Sequence, residues 1–339
     1  MKRVTLVDVA QHAGVSRATA SLVVRGSPLV SASTRKAVED AIAELGYVYN
    51  LGAARMRAAR SHTVGVIIPN LTNPFFAVLL AGIESVLEEA GFAVILGNSY
   101  DSPAKQDLFV GRAREHGVDG LIVCPAAGTE KRFIEDALKW GIPLVQTLRT
   151  VPDTSTDYSG MDQHDGMHEA VNCLYDFGHR RIGYVASTLF HSAHKERLAK
   201  FREAMSAKGI EPLFVRHLES THQAARMAAP EIMGKRTRPT ALICHNDVLA
   251  LGLHRGLCDL GVLPGRDVSL IGFDNVAEAD LVIPGLASVA TEPFNVGKNA
   301  AELFLRRISA PEAVHSSRVE PTYFVQRGSC GPVRDFAEA

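Results

Sequence analysis

Hydrophobic residues in the first sixty positions recur at helical spacing in three short stretches. The first stretch carries Val9 and Ala10, the second carries Ala20 and Val23, and the third runs over about residues 32–45. Three short helices with one apolar stripe each can bury a small shared core. The pattern therefore predicts an all-α module at the N-terminus.

Polar residues and glycines mark the ends of these predicted helices. The start signals are Thr5 with Asp8 as a capping box, Ser16, and Ser31 or Ser33, and the stop signals are Gly14 and Gly46. A short link that contains glycine separates the first two helices. Such a link predicts a helix-turn-helix unit, whose second helix enters the major groove of DNA.

From residue 62 onwards, short apolar runs alternate with longer helical patterns. The apolar runs cover residues 64–68, 92–96, 120–124, 143–146, 181–185, 241–244 and 268–273. This alternation predicts an α/β fold with parallel sheets covered by helices. Because the runs form two successive sets, we expect two similar subdomains with a cleft between them. A ligand would bind outside the carboxyl ends of the strands.

Charge is distributed unevenly, although the net charge of the whole chain is only −1. Residues 1–60 contain nine Lys and Arg against four Asp and Glu, so they carry +5 and the remainder carries −6. A basic head on an acidic body fits a polyanionic partner for the head alone. Apolar residues make up 46% of the chain and charged residues 22%, which is ordinary for a globular protein.

The five cysteines are odd in number and widely spaced, so we expect neither a disulfide framework nor a zinc site from them. The N-terminus has no long apolar region of the kind found in signal peptides. No apolar run approaches the ~20 residues of a membrane span. These observations predict a cytoplasmic protein without a membrane partner.

The second predicted helix carries side chains on its outer face that suit nucleic acid. Arg17 can donate two hydrogen bonds to the O6 and N7 atoms of a guanine. Short hydroxyl side chains suit phosphate contacts, and those at helix starts or outer faces are Ser16, Thr19, Ser21, Ser31 and Thr34. Helix capping is the alternative explanation, and it accounts well for Ser16 and Ser31.

Several side chains that follow the predicted strands suit a sugar or another polyol. Aromatic faces stack on sugar rings, whereas Arg, Asp and amide groups bond to vicinal hydroxyls. The residues in such positions are Asn73, Phe75, Arg197, Asn246 and Asp274. For Asn73, helix capping is an equally weighted alternative. We expect Asp247 to cap the helix that follows it rather than to touch a ligand.

Two histidine pairs have the spacing of metal chelates. His164 and His168 stand four residues apart, and His191 and His194 stand three apart near the cleft. We expect no physiological metal and no other cofactor at either pair. A hydrogen bond from His191 or His194 to the ligand is the stronger expectation.

The motifs of the head resemble the LacI family of bacterial repressors over roughly fifty residues without a gap. The matching runs are residues 5–10, 13–16, 30–31, 34–35 and 44–47. The resemblance implies that the second helix reads a palindromic operator. The DNA-binding residues expected on this basis are Thr5, Leu6, Ser16, Arg17, Ala18, Thr19, Ser21, Leu22, Arg25, Ser31, Thr34, Tyr47, Asn50, Ala53 and Met56.

The head departs from the family pattern at several positions. Ala20, Leu22 and Arg25 replace the common valine, arginine and asparagine. Polar readout in the second helix then depends mainly on Arg17, while Leu22 can pack on a thymine methyl group. In the hinge segment that the family folds on DNA, Met56 replaces the leucine that enters the minor groove.

The body resembles the LacI-family core, which is similar to periplasmic sugar-binding proteins. The matching motifs are residues 73–76, 178–182, 197, 246–247, 250, 252 and 272–274. The resemblance implies a sugar-like effector, and the effector-binding residues expected are Asn73, Phe75, Arg149, His191, Arg197, Asn246 and Asp274. Leu148 replaces a common aspartate and is followed by Arg149. We expect an exposed Arg149 there, and hence an anionic or differently hydroxylated effector.

The resemblance also implies domain limits and a symmetric assembly. The limits are 1–49 for the helix-turn-helix domain, 50–61 for the hinge, 62–161 with 292–322 and 162–291 with 323–331 for the two sensor subdomains, and 332–339 for a tail. No leucine heptad ends the chain, so we expect a homodimer on the operator, associated with the nucleoid when bound.

Two other classes of function compete with a ligand-gated repressor. An enzyme on an α/β body would carry a motif such as G-x-G-x-x-G, a P-loop, G-x-S-x-G or H-E-x-x-H, and the chain has none of these. A sugar-binding transport protein would carry a signal peptide and no basic head. We therefore expect a DNA-binding regulator and no catalytic residues.

Overall fold

The computed structural model of the protein describes residues 4–24, 26–47, 60–234 and 237–334. It divides the chain into two compact units, Met1–Ser61 and His62–Ala339. Each unit has a hydrophobic core of its own. No helix in the described ranges combines the length and the apolar composition of a membrane span.

The head unit is a set of three helices around one small core. The helices are α1 (Leu6–His12), α2 (Arg17–Val24) and α3 (Ala32–Leu45). Val9, Ala20 and Val38, one from each helix, are fully buried against one another. The apolar spacing of the sequence therefore predicted this unit correctly.

The predicted caps of the head are present in the structure. Thr5 and Asp8 form a reciprocal capping box at the start of α1. Of the two alternatives for α3, Ser31 is the cap, since its Oγ accepts a hydrogen bond from the Thr34 N–H. Gly46 ends α3 in the left-handed conformation, with φ of 60°, which glycine adopts without strain.

The body unit contains two six-stranded sheets. The strands are β1 (Thr63–Ile68), β2 (Ala93–Asn98), β3 (Gly120–Val123), β4 (Leu144–Thr147), β5 (Asp157–Met161), β6 (Ile182–Ser187), β7 (Phe214–Leu218), β8 (Ala241–Cys244), β9 (Ser269–Asp274), β10 (Ala287–Ala290), β11 (Ser317–Glu320) and β12 (Tyr323–Val325). The first sheet has the order β11-β5-β4-β3-β1-β2 and is parallel throughout. The second has the order β12-β10-β9-β8-β6-β7, and β12 is its one antiparallel strand.

Helices cover both faces of each sheet. They are α4 (Pro74–Glu89), α5 (Pro103–Glu115), α6 (Lys131–Lys139), α7 (Asp165–Asp176), α8 (Ser192–Ala207), α9 (His222–Met233), α10 (Asp247–Asp259), α11 (Glu278–Leu281) and α12 (Pro293–Ser309). In β1 the side chains alternate between faces, because Val64 and Val66 pack in the cluster that holds α4 and α12 whereas Ile67 packs with α5 and α6. Strands β1, β3, β4, β6, β8 and β9 are buried on both faces, as apolar runs without alternation predict, whereas the edge strand β2 is partly exposed.

Glycines allow two helix pairs to pack with their backbones in contact. A Cβ atom on Gly82 of α4 would lie 2.0 Å from the Phe294 carbonyl oxygen of α12. A Cβ atom on Gly297 of α12 would lie 2.1 Å from the Leu79 carbonyl oxygen. Beside the second sheet, Gly252 and Gly256 of α10 allow the backbone of α9 to approach equally closely. In both halves of the body, glycines therefore allow two helices to pack with their backbones in contact.

Five strands were not predicted from the sequence: β5, β7, β10, β11 and β12. Four of them contain polar or charged side chains, and β7, β11 and β12 lie at sheet edges. The chain passes from the first sheet to the second after β5, returns after β10, and crosses again between β11 and β12. These short strands carry little apolar signal, because partners distant in sequence define them.

We predict that Gly82→Ala lowers the free energy of unfolding of the body by about 1–3 kcal/mol. The methyl group would meet backbone of α12 that cannot rotate away. Urea denaturation followed by circular dichroism measures this change. Gly111→Ala is the matched control, because Gly111 lies in α5 with open space around its Cβ position. A loss of stability in Gly111→Ala as large as that in Gly82→Ala would contradict the explanation.

Candidate functional site

The carboxyl ends of strands from both sheets meet around one cavity in the body. The cavity encloses about 740 Å³, including its mouth toward solvent. All seven residues that the sequence predicted for effector binding line it: Asn73, Phe75, Arg149, His191, Arg197, Asn246 and Asp274. The structure thus brings together side chains that lie up to two hundred residues apart in sequence. Their contact with a ligand stays a prediction.

Arg197 is the most buried cation of the cavity and is held from several sides. It lies in the second turn of α8. Its Nε donates to Gln163 Oε1 at 2.9 Å, and its Nη1 donates to the His245 carbonyl oxygen. The guanidinium carbon lies 3.5 Å from the centre of the Phe273 ring. These contacts fix the plane of the guanidinium.

Asp274 supplies the compensating charge for Arg197. One carboxylate oxygen lies 3.9 Å from Arg197 Nη1, and the Asn73 side chain forms a hydrogen bond with the same carboxyl group. Burial raises the pKa of Asp274 to about 7, although the charge of Arg197 opposes the rise. Asp274 also has a φ of 111°, a conformation that costs energy in a residue other than glycine.

Arg149 is buried, and the expectation of an exposed arginine was wrong. Its relative exposure is 8%, and Nη1 donates to Asp101 Oδ1 while Nη2 donates to Asp101 Oδ2 at 3.3 Å. Nη1 also donates to the Pro125 carbonyl oxygen at 3.1 Å. Asp101 follows β2 and neutralises the charge that Arg149 would otherwise present. The main argument for an anionic effector, an exposed and unpaired Arg149, therefore no longer holds.

Asn73 and Asn246 are both helix caps and cavity residues. Asn73 Oδ1 accepts a hydrogen bond from the Phe75 N–H at 3.1 Å, so the two weighted alternatives for this residue coexist. Asn246 Oδ1 accepts from the Leu249 N–H at 3.0 Å and caps α10. In each case the amide nitrogen is the group directed away from the helix backbone. That of Asn246 donates to Ser220 Oγ at 3.3 Å.

Asp247 does not cap α10, which corrects the expectation from the sequence. It is fully buried and accepts hydrogen bonds from Ser288 Oγ at 2.7 Å and from the Val276 N–H at 2.8 Å. Burial and the neighbouring Asp274 raise the pKa of Asp247 to about 8, against the two hydrogen bonds that lower it. Asp247 ties β10 and the segment after β9 to α10 behind the cavity.

Histidines form one wall of the cavity and are neutral. His191 caps α8, since its Nδ1 accepts from the His194 N–H at 3.1 Å. Burial lowers the pKa of His191 to about 2 and that of His194 to about 4, and it lowers the pKa of His245 well below its usual range. Of the pair named in the sequence, His191 lines the cavity and His194 lies behind it.

The cavity also contains residues that the sequence did not point to. Asp101, Gln163 and His245 line it, and all three bond to the predicted residues Arg149 or Arg197. Asp101 and His245 follow strands, so the rule that ligands bind at the carboxyl ends of strands would have found them. Gln163 follows β5, whose sequence carries no strand signal.

The head presents Arg17 and Ala18 at the exposed start of α2. Leu6 and Tyr47 pack against the core of the head, and Leu22 is half-buried. Predicted residues that fall outside the described ranges are Arg25, Asn50, Ala53 and Met56.

Two of the predicted hydroxyl residues of the head, Ser16 and Ser31, form hydrogen bonds that cap helices. Ser16 Oγ accepts from the Thr19 N–H at 3.1 Å and lies 2.9 Å from Thr19 Oγ1. Ser31 Oγ donates to Thr34 Oγ1 at 2.9 Å. Capping and phosphate contact are compatible, because each hydroxyl oxygen has two lone pairs and one hydrogen. Ser21 is half-buried on α2.

Two family models match the chain. Residues 5–50 match the model described as bacterial regulatory proteins, lacI family, and residues 171–330 match the model of a periplasmic binding protein-like domain.

Relatives and solved structures match nearly the whole chain. The catabolite control protein A of Priestia megaterium is 32% identical over 325 residues, which are 94% of this chain and 96% of that protein. A Lac repressor dimer solved with operator and the anti-inducer ONPF has 26% identity and a TM-score of 0.87, covering 97% of this chain and 99% of the other. The transcriptional regulator CelR in complex with cellobiose has 30% identity and a TM-score of 0.72, covering 96% and 100%.

We predict that the free energy of unfolding of the body falls as the pH rises from about 7.5 to about 8.5. Unfolded aspartates are already ionised in this range, whereas folded Asp274 and Asp247 hold protons up to pKa values of about 7 and 8. Stability that is present at low pH is therefore lost as the pH passes through the folded pKa, at no more than about 1.4 kcal/mol per pH unit and group. Histidines whose pKa is lowered by folding act in the opposite sense, because their unfolded forms still bind protons near the usual pKa of about 6.5, and this contribution becomes small above about pH 7.5.

Urea titrations at several pH values measure this slope, and Asp247→Asn should make it shallower. The exposed Asp153→Asn is the control and should keep the slope of the unmodified protein. Equal slopes in all three proteins would disprove the assignment.

Proposed function

This chain belongs to the LacI family of bacterial regulatory proteins, and we therefore propose that it is a transcription repressor whose binding to operator DNA is controlled by a small sugar-like effector. The observation that carries the proposal is the convergence of polar, aromatic and charged side chains on one cavity between two sheets. The family relatives are regulators and repressors, and a regulator needs such a cavity to sense a metabolite.

The charges of the cavity support a neutral, hydroxylated effector. Arg149 is paired with Asp101 and Arg197 with Asp274, so both cations are compensated before a ligand enters. Buried paired groups still offer lone pairs and N–H donors to hydroxyl groups. The relative CelR was solved with cellobiose, and another LacI-family regulator of Enterococcus faecium was solved with ribose. We propose a sugar or sugar-like metabolite for this chain.

The residues of the effector site are proposed in named roles. Phe75 packs against one side of the ligand, and Asn73 and Asn246 offer amide nitrogens. Arg197 and Asp274 bond to neighbouring hydroxyl groups. Arg149 and His191 close the remaining walls, with His191 as a neutral group because of its lowered pKa.

On the DNA side, we propose that α2 reads base edges in the major groove. Arg17 is exposed at the N-terminal end of this helix, where a recognition helix meets the bases. Ala18 and Leu22 offer methyl groups to thymine. The hydroxyls of the helix starts, together with Thr5, Leu6, Arg25 and Tyr47, hold the phosphate backbone.

We propose that the hinge, residues 50–61, joins the head at 1–49 to the sensor subdomains at 62–161 with 292–322 and 162–291 with 323–331. Asn50, Ala53 and Met56 contact the minor groove, where Met56 acts as an apolar wedge. Two chains bind a palindrome as a homodimer, because a two-fold operator matches a two-fold protein. We infer that the protein works in the cytoplasm, on the bacterial nucleoid.

The cavity also suggests how the effector acts. Asn73 with Asp274, and the Thr150 N–H with Ser192 Oγ at 2.8 Å, connect the two subdomains across the cleft. An effector that bonds to Asn73 and Asp274 replaces one of these connections. It therefore changes the relative stability of the open and closed arrangements and, through the hinge, the affinity for DNA.

We predict that Arg17→Ala weakens specific DNA binding by about 1–3 kcal/mol, because the bidentate contact to guanine is lost. The operator is first selected from a random DNA pool with the unmodified protein. Fluorescence anisotropy at one fixed salt concentration then measures the affinity. Arg17→Lys keeps the charge, so it should retain non-specific binding and still lose discrimination.

Lys36→Ala is the charge-matched control for this experiment, since Lys36 is exposed on α3. It should change specific and non-specific binding to the same small extent. Unaltered sequence selectivity in Arg17→Ala and Arg17→Lys would refute the proposed role of Arg17.

We predict that Asn246→Asp weakens effector binding at least about tenfold. Aspartate keeps the cap of α10 but lacks the amide N–H, so the fold stays intact while one donor to the ligand disappears. Isothermal titration with a panel of mono- and disaccharides, including ribose and cellobiose, identifies the effector and measures the change.

Thr221→Asp is the matched control, because it replaces the cap of α9 with the same residue type. It should bind effector as the unmodified protein does. If no sugar binds the unmodified protein and an anionic metabolite does, the proposed effector class is wrong.

A further inference from the structure

Two helices of the second subdomain bring three metal-ligating side chains together outside the cavity. His164 precedes α7, His168 lies in its first turns, and Glu203 lies on α8. Their ligand atoms all lie within 4.8 Å of one another. The spacing of the two histidines is that of a metal chelate, but two ligands alone predicted no metal, and Glu203 comes from a different helix about forty residues later. The tertiary structure thus changes the expectation that this pair holds no metal.

The three groups are arranged around one point. His164 Nε2 lies 3.7 Å from Glu203 Oε1, and His168 Nε2 lies 3.8 Å from the same oxygen. The two imidazole rings are stacked, with centroids 4.1 Å apart and an angle of 20° between the planes, so both Nε2 atoms face the carboxylate together. Ligand atoms around a tetrahedral zinc ion lie about 3.3 Å apart, so side-chain rotations that turn the two imidazole planes toward one point would bring the three groups to an ion.

The surroundings orient these ligands. His164 Nδ1 lies 2.8 Å from Asp165 Oδ1, and a carboxylate on Nδ1 leaves Nε2 as the atom that binds a metal. His168 Nε2 is shielded from solvent and has no hydrogen-bond partner among the described residues. Lys200 Nζ bonds to Glu203 Oε2 at 2.9 Å, which leaves Oε1 directed at the histidines.

We propose that His164, His168 and Glu203 bind a divalent transition metal, with zinc, cobalt and nickel as the class of ion. Two imidazoles and one carboxylate suit these ions, whereas magnesium and calcium prefer oxygen ligands only. Three protein ligands leave a fourth position open to water. The site does not depend on the proposed effector or on the proposed operator.

The proposed metal site lies next to the first crossing of the chain between the subdomains. Gln163, the neighbour of His164, bonds to Arg197 in the cavity, and Arg197 lies on α8 as Glu203 does. A bound ion therefore links the crossing segment after β5 to α8 through residues that do not line the cavity. Metal binding should stabilise the body against heat.

Isothermal titration of the metal-free full chain with zinc chloride tests the proposal. We expect the unmodified protein to bind one more zinc equivalent than His168→Asn and Glu203→Gln, or to bind it at least about tenfold more tightly. His222→Asn is the matched control, because His222 is an exposed helical histidine outside the site. It should titrate as the unmodified protein does.

Cobalt absorption spectra give a second measurement that does not depend on counting equivalents. Four-coordinate cobalt bound to the unmodified protein should show strong visible bands that Glu203→Gln lacks. Glu203 is half exposed, so this variant keeps the fold even if His168→Asn does not. Identical zinc titrations and cobalt spectra in the unmodified protein, Glu203→Gln and His222→Asn would overturn the proposal.

Discussion

The sensor cavity depends on the buried guanidinium of Arg197. Burying an isolated charge costs many kcal/mol, so the chain has to surround this cation with acceptors. Gln163 after β5, the His245 carbonyl oxygen after β8, and Asp274 with the face of Phe273 in β9 meet that requirement from three separate elements. One cation thereby fixes the relative positions of a crossing segment, two strand ends and a helix. Any ligand that bonds to this group acts on all of them.

Compensation of buried charges also determines the chemical character of the cavity. Arg149 and Asp101 neutralise each other, and the histidines of the wall are held neutral because burial disfavours their charged form. The cavity is therefore polar, and each of its two arginines faces a carboxyl group. Such a surface distinguishes ligands by the placement of hydroxyl groups rather than by long-range attraction, which suits a sugar better than a phosphate.

The cleft of the body lies between two halves of similar architecture. Each half has a parallel sheet, helices on both faces, and a helix pair that glycines bring into backbone contact. Close packing of this kind makes each half stiff. The subdomains can then change their relative angle only through the three crossings and the side chains at the cleft, where Asn73, Asp274, Thr150 and Ser192 connect them.

The sequence by itself predicted the head, most sheet strands and, with the family resemblance, seven residues that line the cavity, because periodicity, caps and strand ends are local signals. It did not determine β5, β7, β10, β11 or β12, whose short segments become strands only through partners far away in the chain. It was also wrong about Arg149 and Asp247, since it could not show that Asp101 lies beside the first or Ser288 beside the second. Ion pairs and clusters of metal ligands are formed by residues of different helices and strands. Only the tertiary structure could therefore show which residues form them.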